Sequence, residues 1–420
     1  MLLHSISQLV TVAGPPQQGD RLGDLGIINN AAVLFKNGII QMVGNSDDLQ
    51  SKYANEEMVS AEQSAVLPGF VDPHTHLVWA GNRAAEFEMR LQGKSYLEIM
   101  AAGGGIQSTV NATRKAEAGD LLQQSARRAQ VLFSHGTTTA EVKSGYGLNF
   151  KSERKQLQVI MELNKRGPLE IVPTFLGAHM VPKEFKDSPQ TYVDILCNDM
   201  LPEIKSWWQS AYARHRLPFV DVFCEKGAFT LSQSRQILQS ASSLGFPLKI
   251  HADEFENLGG AALAAEMGAA SADHLVKTSA DDIAALARSN TVAVSLPCTP
   301  FGLSETDYTP AKAMIDAGCT LAIASDINPG TAWCGNMQFA MALACRAMKM
   351  TPAQAIAAAT INAAAAIQLE ARIGSIEVGK QADMVILSTD DYRQLPYQFG
   401  VNLIRTVIKK GIVYGKDQLC

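Results

Sequence analysis

Histidines carry the strongest chemical signal in this chain of 420 residues. His74 and His76 form an H-x-H pair at the end of a short apolar run. Because alternate residues of a β-strand point to the same face, both imidazoles could bind one ion. Two histidines without a ligand would give the same pattern, so the pair alone is a weak indication of a metal site.

Further polar residues also stand where apolar runs end. They are His179, His251, His274 and Asp326. If these runs are parallel strands of a barrel, their carboxyl ends meet on one face, where active sites lie. Imidazoles and a carboxylate together suit Zn²⁺ or Fe²⁺, so we predict a metal site at this face. The remaining histidines, His4, His135 and His215, are interpreted as structural.

Glu254 follows His251 by three residues, where the chain has just left the predicted strand. Its carboxylate could therefore reach over a metal without binding it. An acid or base beside metal-activated water is what hydrolysis of a C–N bond requires. The alternative is a negative charge at a helix N-terminus, which the helix dipole favours, and Asp253 fits that alternative better.

Short apolar runs alternate with helical segments in the middle of the chain. The eight runs are Leu67–His76, Thr137–Lys143, Glu170–Gly177, Pro218–Glu225, Pro247–Ala252, Ala270–His274, Thr291–Leu296 and Thr320–Asp326. Continuous apolar runs are typical of strands covered on both faces. Repeated βα units of this kind predict an α/β fold, a closed TIM-like (β/α)8 barrel. A doubly wound open sheet is the less favoured alternative.

The two ends of the chain predict a second, smaller domain. Residues 1–65 and 369–420 contain short strands, and each part is too small to be stable alone. Both are therefore expected to form one composite β-sandwich beside the barrel, which occupies residues 66–368. Turns are predicted at Lys36–Gly38, Val43–Asn45 and Lys410–Gly411.

The composition is that of a globular protein and excludes several classes. Hydrophobic residues make up 47% of the chain and charged residues 18%, which is too apolar for a disordered protein. A net charge of −5 without a long basic run argues against nucleic acid or an anionic membrane as partner. The first residues do not resemble a signal peptide, and the seven cysteines form no C-x-x-C pair. We therefore expect a cytoplasmic protein with reduced thiols.

Longer motifs resemble the amidohydrolase superfamily. They are D-P-H-T-H at 72–76, H-A-D-E at 251–254, A-D-H-L at 272–275, S-D-I-N-P-G at 325–330 and G-S-I-E-V-G-K-Q-A-D at 374–383. Within the superfamily, the chain is similar to the imidazolonepropionase family over nearly its whole length. That similarity rests on H-T-H-L-V-W-A-G-N-R at 74–83, A-G-G-G-I at 102–106, E-V-K-S-G-Y-G at 141–147 and F-G-V-N at 399–402.

The resemblance implies a hydrolase that opens the ring of 4-imidazolone-5-propanoate to N-formimino-L-glutamate, the third step of histidine degradation. It implies one divalent metal ion per chain, Zn²⁺ or Fe²⁺/Fe³⁺, bound by His74, His76, His251 and Asp326. The catalytic residues it implies are Glu254, His274 and Asp326. The substrate-binding residues it implies are Arg83, Tyr96, Tyr146, His179, Glu254, Asn328, Gly330 and Thr331. The family also implies a homodimer that acts on this small molecule.

These residue types suit the implied reaction. A planar arginine fork binds a carboxylate in bidentate fashion, so Arg83 is the expected partner of the propanoate. Asp326 could take a proton from water, His274 could stabilise the developing oxygen charge, and Glu254 could protonate the leaving nitrogen. The division of roles between Glu254 and His274 stays open at this point.

Other functions compete with this interpretation. A cytosine- or guanine-type deaminase shares the H-x-H, H-x-x-E, His and Asp layout, but its substrates carry no propanoate for an arginine to bind. A non-catalytic assembly protein on the same fold would have lost its ligands, and every ligand type is present here. Lys143 could bridge two metals as a carbamate, as in dinuclear members of the superfamily, but the family context favours a structural role.

Overall fold

The computed structural model describes residues 1–94, 98 and 104–419. Strands of the N-terminal part are β1 (Leu2–Val10), β2 (Ile27–Lys36), β3 (Ile39–Asn45), β4 (Met58–Ser60) and β5 (Val66–Pro68). The middle part contains β6 (Phe70–Asp72), β7 (Thr137–Lys143), β8 (Glu170–Ala178), β9 (Phe219–Cys224), β10 (Lys249–Ala252), β11 (Ser271–His274), β12 (Val292–Ser295) and β13 (Leu321–Ile323). The C-terminal part adds β14 (Met384–Leu387), β15 (Ile404–Lys409) and β16 (Ile412–Tyr414).

Helices lie between most of these strands. They span Ser46–Lys52, Ala84–Leu91, Ile106–Lys115, Ala118–Ser134, Phe150–Arg166, Pro189–Ile195, Leu201–Ala211, Leu231–Ser243, Gly260–Met267, Ala280–Ala287, Cys298–Leu303, Ala311–Asp316, Met337–Arg346, Pro352–Ala358, Ile361–Ala366, Gln394–Tyr397 and Lys416–Leu419. A π-helical turn, Leu196–Met200, joins two of them. Among the helices in the described residues, none is long and apolar enough to cross a membrane.

Strands β6 to β13 form a parallel sheet in chain order, each strand pairing with the next. Two backbone hydrogen bonds join its ends just beyond β6 and β13. The N–H of Asp326 donates to the carbonyl of His74 at 3.1 Å, and the N–H of His76 donates to the carbonyl of Ile327 at 3.0 Å. These bonds bring the two end strands together, and the predicted TIM-like barrel is confirmed.

The barrel strands are buried because both of their faces are covered. Every residue of β7 and of β10 is buried. Helix Phe150–Arg166, which contacts β8, buries Leu157, Ile160 and Leu163. Removing such side chains from water stabilises the fold by about 1.5–3 kcal/mol each. The barrel is therefore a packed core whose open end is left for chemistry.

Strands from both ends of the chain form one further sheet, in the order β16-β15-β14-β5-β1-β2-β3, with β4 paired to β1. The turns predicted at Lys36–Gly38 and Lys410–Gly411 join β2 to β3 and β15 to β16. In both turns the two central residues have positive φ, as a two-residue hairpin loop requires. A β domain built from both termini is therefore confirmed.

The turn predicted at Val43–Asn45 is wrong, because these residues are the last ones of β3. The glycine and asparagine that suggested a turn here have another explanation. The side chain of Asn45 accepts hydrogen bonds from the backbone N–H groups of Asp47 and Asp48, so it caps the helix Ser46–Lys52.

The first barrel strand is shorter than the predicted run Leu67–His76. Strand β5 pairs with β14 in the terminal sheet, whereas β6 pairs with β7 in the barrel. The chain passes between the two sheets at Gly69, where a Cβ would lie 2.4 Å from Thr138 Cγ2. Only glycine allows this close approach. The domain boundaries at residues 65/66 and 368/369 stay a prediction.

Candidate active site

The predicted metal ligands lie together at the carboxyl end of the barrel. His74 and His76 follow β6, His251 belongs to β10, and Asp326 follows β13. All of them are buried. These strands are distant in the sequence and become neighbours of one site only because the barrel closes.

The ligand atoms of these residues stand at distances that suit one ion. Asp326 Oδ1 lies 3.5 Å from His74 Nε2 and 3.6 Å from His76 Nε2. His76 Nε2 lies 3.4 Å from His251 Nε2. Ligands bound tetrahedrally to zinc stand about 3.4 Å apart. His274 is close enough to join the group, because its ligand atom lies within 4.8 Å of those of His74 and His251.

Buried atoms without a partner mark the place where an ion would bind. Within the described residues, His74 Nε2 and Asp326 Oδ1 are buried and have no hydrogen-bond partner. His74 Nδ1 lies 2.6 Å from Asp273, and His251 Nδ1 lies 3.1 Å from Asp221. A carboxylate at Nδ1 holds the ring proton there and leaves the lone pair of Nε2 for a metal. A cation therefore fits these atoms, since an unpaired buried polar atom is costly.

Burial favours the neutral form of four histidines at this site, His74, His76, His179 and His274. Burial, and next to it the charge of Lys143, lowers the pKa of His74 well below its usual value. Burial likewise lowers the pKa of His76 and His274, and it lowers the pKa of His179 to about 3. A neutral imidazole is the form that binds a metal.

Asp326 is held by Thr299, a residue that the sequence analysis missed. The Thr299 hydroxyl donates a hydrogen bond to Asp326 Oδ2, which leaves Oδ1 toward the histidines. Burial raises the pKa of Asp326 to about 6, and the bond from Thr299 opposes this rise. A carboxyl group with a pKa in this range can exchange a proton near neutral pH.

Glu254 lies beside His274 at the edge of the cluster, with Oε2 3.7 Å from His274 Nε2. Burial, followed by the carboxylates of Asp326 and Glu225, raises the pKa of Glu254 well above its usual value. The raised pKa favours the protonated carboxyl group of Glu254, which is the form that can donate a proton. Glu225 also fixes this loop, because it accepts a hydrogen bond from the backbone N–H of Phe255 at 2.9 Å.

Asp253 instead has a structural place, as the sequence suggested. Its carboxylate accepts a hydrogen bond from the Thr278 hydroxyl at 2.9 Å. It also lies beside the backbone of Leu258 and Gly260, where the helix Gly260–Met267 begins. A negative charge near that end of the helix is favoured by the helix dipole.

A cavity of about 130 Å³ opens onto the cluster. The predicted substrate residues that line it are Arg83, Tyr146, His179, Glu254, Asn328 and Thr331. Gly330 lies against Arg83, because a Cβ at Gly330 would be 2.2 Å from Arg83 Nη1. The remaining predicted contact, Tyr96, lies outside the described residues. The structure therefore brings an arginine fork and the histidine cluster into one cavity.

Two of these residues belong to loops that are ordered by their own side chains. Glu153 accepts backbone hydrogen bonds from Gly145 and Gly147 at 3.0 and 2.7 Å, which fixes the loop that carries Tyr146. Asn328 Oδ1 accepts backbone hydrogen bonds from Gly330 and Thr331, both at 2.8 Å. The side-chain oxygen of Asn328 is thus occupied in holding its own loop.

Lys143 is enclosed by carboxylates below the cluster. Its Nζ donates to Glu141 at 2.8 Å and to Asp221 at 2.7 Å. Burial disfavours the ammonium, but Asp221, Glu141 and Asp273 outweigh burial and raise the pKa of Lys143 above its usual value. A carbamate forms from a neutral amine, so this environment does not suit Lys143 as a bridge between metals.

Sequence reasoning also missed the carboxylates that hold the histidines. Asp221 and Asp273 are fully buried inside β9 and β11. A signal was present for Asp221, which is an acidic residue within the otherwise apolar run Phe219–Cys224, since buried acids are rare unless paired. The sequence could not tell which histidine each would face.

The amidohydrolase family model matches residues 65–415. A solved structure of 5-methylcytosine deaminase from Klebsiella pneumoniae liganded with 5-fluorocytosine superposes with a TM-score of 0.73 at 16% identity. That match covers 98% of this chain and 97% of the deaminase chain. Identity this low supports the fold alone. Fold and site together define the class of amidohydrolases with a barrel and a histidine and aspartate cluster.

Relatives extend this assignment over the full chain. An imidazolonepropionase of Herpetosiphon aurantiacus is 48% identical, covering 100% of this chain and 98% of the relative. An imidazolonepropionase of Symbiobacterium thermophilum is 47% identical, covering 98% of this chain and 96% of the relative. The chain therefore belongs to the amidohydrolase family and, within it, to the imidazolonepropionases.

Proposed function

We propose that the enzyme hydrolyses a ring C–N bond of 4-imidazolone-5-propanoate and releases N-formimino-L-glutamate, the third step of histidine degradation. The observation that carries this proposal is the shared cavity of Arg83, Glu254 and the histidine cluster. A guanidinium can bind the propanoate tail in bidentate fashion while the ring faces the acid and the cluster. The full-length relatives support the same substrate.

We propose that His74, His76, His251 and Asp326 bind one divalent ion, Zn²⁺ or Fe²⁺. Such an ion lowers the pKa of water, which makes hydroxide available at neutral pH. The unpaired buried atoms His74 Nε2 and Asp326 Oδ1 support this ligand set.

The protein residues would divide the proton transfers as follows. Asp326 accepts a proton from water as the water oxygen bonds to the ring carbonyl carbon. His274 stabilises the negative charge that develops on the carbonyl oxygen. Glu254, whose pKa burial raises, donates its proton to the ring nitrogen as the C–N bond breaks. The carbonyl carbon stays bonded to the carbon that carries the propanoate chain and becomes a carboxylate of the product, and the released ring nitrogen remains in the formimino group.

Substrate contacts complete the proposal. Arg83 is placed for the propanoate, and Tyr146 and His179 line the same cavity from the loops after β7 and β8. Asn328, Gly330 and Thr331 form the loop after β13, and Thr331 also lines the cavity. Tyr96 is proposed as an additional hydroxyl contact on the resemblance alone.

One assay with two substrate classes tests the function. Purified enzyme should consume 4-imidazolone-5-propanoate, and the loss of the substrate's ultraviolet absorbance measures the reaction. It should release no ammonia from cytosine or guanine. Activity should disappear on exhaustive chelation and return with Zn²⁺ or Fe²⁺. Deamination of a nucleobase without ring opening would overturn the proposal.

We also propose a cytoplasmic homodimer without nucleic-acid or membrane partners. The net charge of −5 supports the absence of an anionic partner. Light scattering on protein eluting from a size-exclusion column should give twice the mass of one chain. A mass equal to that of one chain would contradict the dimer.

A further inference from the structure

We propose that Lys143 is a positioning residue that fixes two metal-binding imidazoles, His74 and His251, through a single ammonium group. The proposal rests on the metal site proposed above. Lys143 Nζ lies 2.7 Å from Asp221 Oδ2, 2.8 Å from Glu141 Oε1 and 3.9 Å from Asp273 Oδ2. All of these side chains are fully buried.

Two of these carboxylates connect the ammonium to the histidines. Asp221 offers Oδ2 to Lys143 and lies 3.1 Å from His251 Nδ1 through Oδ1. Asp273 Oδ2 lies 2.6 Å from His74 Nδ1 and also faces Lys143. Each carboxylate therefore fixes the tautomer and ring orientation of one histidine. Lys143 in turn donates a hydrogen bond to Asp221 and forms a longer ion pair with Asp273.

The arrangement spans the interior of the barrel. Lys143 is the last residue of β7, whereas Asp221 lies in β9 and Asp273 in β11. Because backbone pairing joins only adjacent strands, the ammonium ties together strands that the sheet itself does not. Charges in such an interior attract strongly, and each charge is costly to bury without its partners. The ammonium can therefore hold the two histidines at a fixed separation.

Lys249 offers a matched control. It is also fully buried, and its Nζ lies 3.5 Å from Asp273 Oδ2. It donates a hydrogen bond to the Ser271 hydroxyl at 2.5 Å. Among the described residues, Lys249 forms an ion pair with Asp273 but not with Asp221. Lys249 thus shares the burial and charge of Lys143 but reaches only one of the two histidine partners.

If Lys143 only balances the charge of the buried cluster, a different result is expected. The cluster contains Lys143, Lys249, Glu141, Asp221 and Asp273, and replacing Lys143 alone adds one unpaired negative charge. The double variant Lys143→Met with Glu141→Gln restores the original net charge. It should therefore fold even if the single variant does not. If Lys143 acts only through charge balance, the double variant regains normal metal binding.

The experiment measures metal affinity on the full-length apo-protein. Zn²⁺ competition with a chromophoric chelator gives the dissociation constant, the absorption spectrum of bound Co²⁺ reports ligand geometry, and thermal unfolding checks the fold. We expect Lys143→Met, and also the double variant, to weaken Zn²⁺ binding by about 10- to 100-fold with an altered Co²⁺ spectrum. Lys249→Met should weaken binding less than either.

Three results would overturn the proposal in different ways. Wild-type affinity in the folded Lys143→Met or double variant would remove Lys143 from the positioning of the ligands. A loss in Lys249→Met as large as that in Lys143→Met would assign the effect to buried charge in general. Absence of stoichiometric Zn²⁺ or Co²⁺ binding by the wild-type protein would instead refute the metal site itself.

Discussion

The position of Arg83 depends on a glycine that touches it, and this dependence gives a sharp test of the proposed substrate site. A Cβ at Gly330 would lie 2.2 Å from Arg83 Nη1, far inside ordinary van der Waals contact. In a Gly330→Ala variant the guanidinium must retreat by about 1 Å to relieve this clash. The metal ligands are not displaced directly, because the new methyl group faces Arg83.

The size of the effect follows from the contact that is disturbed. A charge-assisted hydrogen bond contributes about 1.5–3 kcal/mol, and each 1.4 kcal/mol corresponds to about tenfold in binding. Complete loss of the propanoate contact in Arg83→Ala should therefore raise KM by about 10- to 100-fold. Gly330→Ala should raise KM up to that limit, since a misplaced guanidinium retains part of its attraction.

Steady-state kinetics on 4-imidazolone-5-propanoate, with metal content measured in parallel, check this expectation. Gly119→Ala is the control, because a Cβ at Gly119 would meet no described atom within 4 Å apart from its chain neighbours and the backbone of its own helix. The double variant Arg83→Ala with Gly330→Ala should be no worse than Arg83→Ala alone, because both changes act through one guanidinium. An unchanged KM in Gly330→Ala, or strictly additive effects in the double variant, would refute this reasoning.

Three further predictions concern proton transfer, the metal and the joint between the domains. Glu254→Gln should lower kcat by about 10²- to 10⁴-fold with full metal content, and a fully active variant would assign the proton to another group. Asp326→Asn should lower both activity and metal retention, measured by elemental analysis, and full metal content would exclude Asp326 as a ligand. Glu170 joins β8 to the terminal sheet through Lys409 at 3.0 Å and through Arg372, so Glu170→Gln should destabilise the fold by about 1.5–3 kcal/mol. Although burial raises it, the pKa of Glu170 is lowered overall by Lys409 and Arg372, so this stabilisation is present above pH 4.5 and is lost as the pH falls further. Denaturant unfolding that shows an equal difference from wild type at pH 7 and pH 3 would contradict this linkage.

Much of the fold could be predicted from local patterns. Strand β7 has the predicted bounds, Thr137–Lys143, because a run rich in β-branched residues between turn residues indicates a strand. The hairpins at Asn37-Gly38 and Lys410-Gly411 were equally visible. By contrast, the sequence did not reveal that Leu67–His76 is divided between two sheets, since an apolar run looks the same whichever sheet it joins.

The site was predictable in its residue types but not in its supports. His74 and His76 stand two residues apart, and in a strand that spacing alone aims both side chains at one face. The partners Asp221, Asp273 and Thr299 lie far along the chain from the residues they hold. Local sequence could not assign those pairs.

By itself, the sequence determined most of the elements and their order along the chain, because strand period, helix caps and turn chemistry depend on neighbouring residues. Only the tertiary structure decided that Lys143 lies between Asp221 and Asp273, and that Gly330 leaves room for Arg83. These contacts depend on the closure of the barrel, which places the carboxyl ends of distant strands within a few ångströms of one another. Buried charges then pair with whichever partners that closure supplies, since an unpaired charge in the interior costs more than any local preference can offset.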